Sequence, residues 1–79
     1  MPRIAPLDWQ TLARIFEADG FIFHRQHGSH RAYIKPGVAR PVMIPTYPSV
    51  GSDIIHSNMR TARMSRERFL ELLAMVRGH

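Results

Sequence analysis

Phe21-Ile22-Phe23-His24-Arg25-Gln26, then His27-Gly28-Ser29, then His30-Arg31-Ala32-Tyr33-Ile34-Lys35: this run reads as two β-strands joined by a turn. The first segment opens with aromatic and β-branched residues, which suit a pleated, half-buried surface, and the two-residue repeat puts Phe21 and Phe23 on one face. Gly28 allows the backbone the conformations a short reversal needs. The second segment ends at Pro36-Gly37, a strong turn signal.

Working outward, Arg40-Pro41-Val42-Met43-Ile44 reads as a third strand with Val42 and Ile44 on one face. Short connections favour an antiparallel meander. Upstream, Asp8 caps a helix running to about Asp19; Trp9, Leu12, Ala13 and Phe16 form its apolar stripe, with Ile15 beside it. Gly20 is a natural stop. Downstream, residues 45–51 form a loop with two prolines. A helix follows from about Ser52 to Ala62, its inner face marked imperfectly by Ile54, Ile55, Asn58 and Met59. A last helix is capped by Ser65 and striped by Phe69, Leu72, Leu73 and Val76.

The order helix, three strands, helix, helix gives an α+β sandwich: a three-stranded antiparallel sheet with helices on one face. No repeat or linker interrupts it, so residues 1–79 read as one domain with a core over about 8–76. The opposite sheet face has no obvious cover. Rimmed by Arg and Lys, it suits an RNA platform and equally a surface for a partner protein.

The 79 residues support one modest core, and the apolar fraction of 44% is too high for a disordered chain. There is no cysteine, which fits a reducing cytoplasm. Apolar runs are short and broken by charge, and Met1-Pro2-Arg3-Ile4-Ala5-Pro6 lacks the apolar stretch of a signal peptide, so a cytoplasmic location is expected. Lys plus Arg number 11 against 6 Asp plus Glu, a net charge of +5, and all the cations but Lys35 are Arg. Arg pairs bidentately with phosphate, so nucleic acid is a natural partner; ordinary solubility is the alternative.

His24, His27 and His30 recur every third residue. Three-residue spacing on an extended hairpin does not obviously converge imidazoles at metal-ligand distance, and no Cys or nearby carboxylate joins them, so no metal is expected. His56 reads as a solvated helix residue and His79 as a disordered terminus. Arg60, Arg63, Arg66 and Arg68 form either a phosphate-binding rim or a solvated face. Tyr33 suits either the core or a stack on a base.

Gly20-Phe21, Arg25-Gln26-His27-Gly28-Ser29-His30 and Tyr33 together resemble the HicA toxin family, whose pattern joins a helix-ending Gly-Phe to a Gly-Ser-His turn. Val42-Met43-Ile44-Pro45 resembles the family's third strand and closing proline, and residues 53–65 resemble the segment leading to its final helix. The likeness covers roughly residues 8 to 76. It implies a fold similar to double-stranded-RNA-binding domains, α-β-β-β-α(-α). It further implies a toxin of a type II toxin–antitoxin pair that binds and cleaves mRNA, that needs no metal or other cofactor, and that is neutralised by a HicB-type antitoxin. The family's essential histidine falls on His30. This chain departs from the pattern at Tyr47, where many members carry histidine, at the short loop 46–51, and at Arg63, where glycine is common.

The chemistry implied is metal-free. RNA carries its own nucleophile, the 2′-hydroxyl, so a ribonuclease needs a base for that proton, an acid for the leaving 5′-oxygen, and cations for the transition state. Histidine suits this because its ordinary pKa lies near neutrality, and one positioned acid or base contributes about 10²–10⁴ in rate. His30 is thus the expected catalytic residue; an inert surface histidine is the alternative. Gly28 lets the backbone approach a phosphate, Ser29 can hydrogen-bond one, and Arg25, Arg31 and Lys35 lie on the same hairpin to bind RNA. The second acid–base group is open among His24, His27 and Tyr47. Strict alternation places His30 with Ala32 and Ile34, on what reads as the covered face unless the strand start twists away. A non-catalytic RNA-binding or protein-interaction module of the same fold is the rival reading. Monomer, homodimer and toxin–antitoxin hetero-oligomer all fit the sequence.

Overall fold

The computed structural model describes residues 4–78. His79, and the first three residues of the N-terminal stretch, lie outside the described residues. The elements are α1 (Trp9–Ala18), β1 (Ile22–His27), β2 (His30–Ile34), β3 (Val42–Pro45), α2 (Ser52–Ala62) and α3 (Arg66–Arg77). The strands form one antiparallel sheet in the order β1-β2-β3. Among the described residues no helix is long and apolar enough to cross a membrane.

Each helix starts and stops for a local reason. The Asp8 side chain accepts hydrogen bonds from the Thr11 hydroxyl at 2.7 Å and the Thr11 amide at 3.0 Å. Those bonds, the hydroxyl's first, hold the Asp8 carboxyl below the usual carboxylate range. α1 ends in a two-bond reversal: Phe21 N–H donates to the Phe16 carbonyl and Gly20 N–H to that of Glu17, with Gly20 at φ +102°. α2 ends in the same way. Met64 N–H donates to the Met59 carbonyl and Arg63 N–H to that of Arg60, but the left-handed position, φ +54°, is filled by Arg63. α3 is capped by Ser65, whose hydroxyl accepts from the Arg68 amide at 3.0 Å.

The core gathers on one sheet face. Tyr33, Val42 and Ile44 point there and pack with Leu12, Ile15 and Phe16 of α1, with Ile55 and Met59 of α2 and with Phe69 and Leu72 of α3. Burying each large apolar side chain stabilises the fold by roughly 1.5–3 kcal/mol. Tyr33 is 1% exposed, so of its two sequence readings the core is the one realised. Phe21 is buried edge-to-face on Phe16, whereas Phe23 is 43% exposed at the rim. β3 begins at Val42 rather than Arg40 because Pro41, without an N–H, cannot donate to the sheet. Asp19, at the end of α1, ties three elements together through Lys35 Nζ at 3.3 Å and Arg68 Nε at 3.2 Å.

Candidate active site

The hairpin turn comes first. His27 pairs with His30 across the two-residue turn Gly28-Ser29. Gly28 stands at φ +61° and Ser29 does not share a positive φ, the pattern of a two-residue turn with glycine first. Gln26 Nε2 donates to the Gly28 carbonyl at 3.0 Å. The Ser29 carbonyl accepts from the Thr46 amide at 2.7 Å and the Thr46 hydroxyl at 3.0 Å. The turn is therefore clamped to the segment after β3.

That clamp brings Tyr47 to His30. Their ring centroids lie 6.5 Å apart at an interplanar angle of 69°, edge to face. On its other side, His30 Nδ1 stands 3.5 Å from Ser29 Oγ. His30 itself is exposed. Directly opposed residues in an antiparallel pair share a face, so His27, His30 and Pro45 lie together with Ala32, Arg25 and Met43. This is the face away from α1. Ala32 is covered there only because it is small and set in the middle strand; Met43 is 39% and Ile22 61% exposed.

One concavity opens at His30 and a second lies along the same sheet face. The first, of about 360 Å³, lies between β3 and α2; His30, Met43, Pro45, Ile54, Asn58 and Thr61 are among its walls, with Asp53 and Ser57 on the α2 side. Asn58 is 5% exposed, and its amide nitrogen has no hydrogen-bond partner. A second, more enclosed groove of about 410 Å³ runs over the open sheet face past Arg25, His27, Ala32, Ile34 and Met43. Beyond Thr61, Arg40, Arg60 and Arg63 surround a third concavity.

The hairpin residues expected at the site separate into two groups. Gly28, Ser29 and Arg25 stand on or beside the His30 face. Arg31 does not: it faces α1, its guanidinium 4.1 Å from the Phe23 ring centroid and 5.1 Å from that of Trp9. It donates to the Tyr33 hydroxyl at 2.9 Å and to Gln26 Oε1 at 3.2 Å. Lys35 sits at the far end of β2, paired with Asp19. His24 is the extra residue of a β-bulge, where the register shifts between Phe23 and Arg25, and this breaks the three-residue repeat of histidines. Among the described residues no group of three or more His, Cys, Asp or Glu is placed to hold a metal ion.

Sequence reasoning missed Thr46 as the clamp, and it missed the α2 wall. Asn58 did carry a signal: a polar residue on the inner stripe of an otherwise amphipathic helix.

In comparison with known proteins, the family model described as HicA toxin of bacterial toxin–antitoxin matches residues 9–62. Comparison with curated proteins and with solved structures gives no match.

Proposed function

The chain belongs to the HicA family of toxins of bacterial toxin–antitoxin pairs, and on that premise we propose that it is a metal-independent endoribonuclease that cleaves mRNA with His30 as its general acid or base. The observation that carries this reading is the placement of His30. It is exposed where a clamped turn meets the concavity between β3 and α2, with Ser29 and Tyr47 on either side of its ring. An imidazole fixed in this way presents one nitrogen to substrate while the other faces the Ser29 hydroxyl.

In the proposed reaction the 2′-oxygen attacks the adjacent phosphorus and the 5′-oxygen leaves. The products are a 2′,3′-cyclic phosphate and a 5′-hydroxyl end. His30 moves one of the two protons, from the 2′-hydroxyl or to the 5′-oxygen. Arg25, on the same face, holds the phosphate backbone, and the Gly28 turn lets the chain come close to it. Tyr47 replaces the histidine common in relatives and acts by orienting the His30 ring. Arg31 and Lys35 support the hairpin from its other side and end. The open sheet face, with Ile22 and Met43 exposed, suits coverage by a HicB-type antitoxin.

Induction in bacteria of the wild type and of His30→Ala, with cellular RNA examined for new ends, tests this. Growth arrest and fresh cuts are expected from the wild type alone, with purified cleavage unaffected by a chelator. A folded His30→Ala protein that arrests growth equally well would overturn the assignment.

A further inference from the structure

Arg40, Arg60 and Arg63 come together from two separate parts of the chain. Arg40 stands in the loop before β3, Arg60 in the last turn of α2 and Arg63 just past its end. With Ala39 and Thr61 they surround a concavity of about 340 Å³, and among the described residues no carboxylate lines it. All three are exposed. The ion pairs among the described residues join Asp19, Lys35, Arg68 and Glu71 and leave these arginines out. Cations gathered in this way repel one another, and an anion seated between them removes that repulsion.

Arg63 is an independent sign of use. It holds the left-handed backbone position after α2, at φ +54°. Glycine adopts that conformation freely and arginine only at a cost, which a fold accepts where the side chain has a task. Arg60 alone has a simple structural reason, since a cation at a helix C-terminus offsets the partial negative charge of the last carbonyls. That reason does not extend to Arg40, which arrives from another element. The helix end also opposes an anion, but with only about half a charge against three guanidiniums. Two of its carbonyls, those of Met59 and Arg60, are already taken by the Met64 and Arg63 amides.

The concavity leads back to His30. Thr61 borders both it and the β3–α2 cleft, and Arg40 on its rim adjoins Pro41 on the rim of the cleft. His30 pairs with Pro45, at the opposite end of β3 from Pro41. The two prolines are four residue steps apart, about 13 Å of extended chain. A phosphate among the arginines is therefore not the one being cut but another on the same strand. Guanidinium groups grip phosphate oxygens two at a time, and RNA offers a phosphate at every nucleotide.

We infer that Arg40, Arg60 and Arg63 form a second phosphate subsite, which grips the RNA backbone at a distance from the bond being cut. The strand then passes from His30 toward the end of α2, not only across the open sheet. This inference rests on the ribonuclease reading and adds to it where the rest of the strand is held.

The test uses the full chain and a fluorescent single-stranded 2′-O-methyl oligoribonucleotide, which lacks the attacking hydroxyl and so stays intact. Arg60→Gln and Arg63→Gly should each weaken binding by about three- to tenfold. Both together should lower the salt slope by about 0.7, the loss of one single-strand phosphate contact. Arg63→Gly should melt no lower than the wild type, so its weaker binding cannot come from a damaged fold. Arg14→Gln removes the same charge from α1 and should bind as the wild type does. In NMR titrations the oligomer should shift the amide signals of Arg60 and Arg63 together with that of His30, and leave that of Arg14 in place.

Wild-type affinity in both Arg60→Gln and Arg63→Gly overturns the inference, as does an equal loss in Arg14→Gln, which would mark a general effect of charge. If His30→Ala still abolishes cleavage in either case, the subsite falls alone and the ribonuclease reading stands. Unchanged RNA affinity with lost antitoxin binding in the arginine variants would assign the concavity to acidic side chains of a protein and overturn it too.

Discussion

The Ser29 carbonyl accepts two hydrogen bonds from Thr46, one from its amide at 2.7 Å and one from its hydroxyl at 3.0 Å. Ser29 precedes His30 and Thr46 precedes Tyr47, so this oxygen, with the pairing of His30 and Pro45, holds the two rings near each other. Thr46→Val deletes the hydroxyl bond and keeps the amide bond and the shape. Its stability loss should be about 1 kcal/mol or less. RNA cleavage should fall by more than stability explains, about three- to tenfold, because misplacing a catalytic group is costly. Comparing melting curves with single-turnover cleavage rates checks this; parallel small losses would show that the clamp does not position His30.

Arg25 and Arg31, on opposite faces of one hairpin, should behave as different kinds of residue. Arg25→Ala should leave the melting temperature nearly unchanged, weaken RNA binding, and reduce its salt slope by about one. Arg31→Ala should cost about 1–2 kcal/mol, since it removes cation–π contacts with Trp9 and Phe23 and the bond to the Tyr33 hydroxyl. Its salt slope should stay that of the wild type. Titrations at several salt concentrations, with thermal melts, separate the two.

The Asp8 carboxyl is held below its ordinary range by Thr11, and this fixes the sign of a pH effect. A group whose folded pKa is depressed contributes stability above its unfolded value, and that contribution disappears as pH falls through the folded one. Asp8→Ala should therefore lower stability by about 1 kcal/mol at neutral pH, as for other lost helix caps. The gap between mutant and wild type should narrow below about pH 4. Denaturant unfolding at neutral and acidic pH measures it, and a constant gap would show that the ionised cap is not the cause.

Arg63 holds the left-handed position that ends α2, at φ +54°. Gly20 fills the equivalent position after α1 without strain. Arg63→Gly should stabilise the protein, by up to about 1 kcal/mol after the entropy glycine adds to the unfolded chain. A rise in melting temperature with weakened RNA binding would place this arginine among residues kept for their charge.

The fold is legible in the sequence where local chemistry acts alone. Asp8 and Ser65 announce their helices, Gly20 stops one, and Gly28-Ser29 can only be a tight turn between those strands. α2 is legible too, down to its ends. Faces are harder. His24 inserts a bulge into β1, so simple alternation along that strand misplaces the residues beyond it, and only pairing with β2 reveals it. For the proposed site, the sequence points to His30 through its family pattern alone. Arg31 reads as an RNA contact because cations on one hairpin look alike in sequence, whereas the strand repeat turns it toward Trp9. Thr46 depends on its contact with Ser29, 17 positions away, and the α2 wall on how α2 comes back beside β3, neither of which a local pattern encodes.

The bulge at His24 also bears on how copies of this chain meet one another. β1 is an outer strand, paired on one side only, and all its residues are exposed. A straight exposed strand invites a second molecule to extend the sheet, the first step toward tangled assemblies. Here the rim is broken after Phe23, leaving Ile22–Phe23 and Arg25–His27 as two short runs out of phase. A neighbour that pairs with one run is out of register with the other. An irregularity of one residue thus discourages the addition of a further strand at the β1 edge.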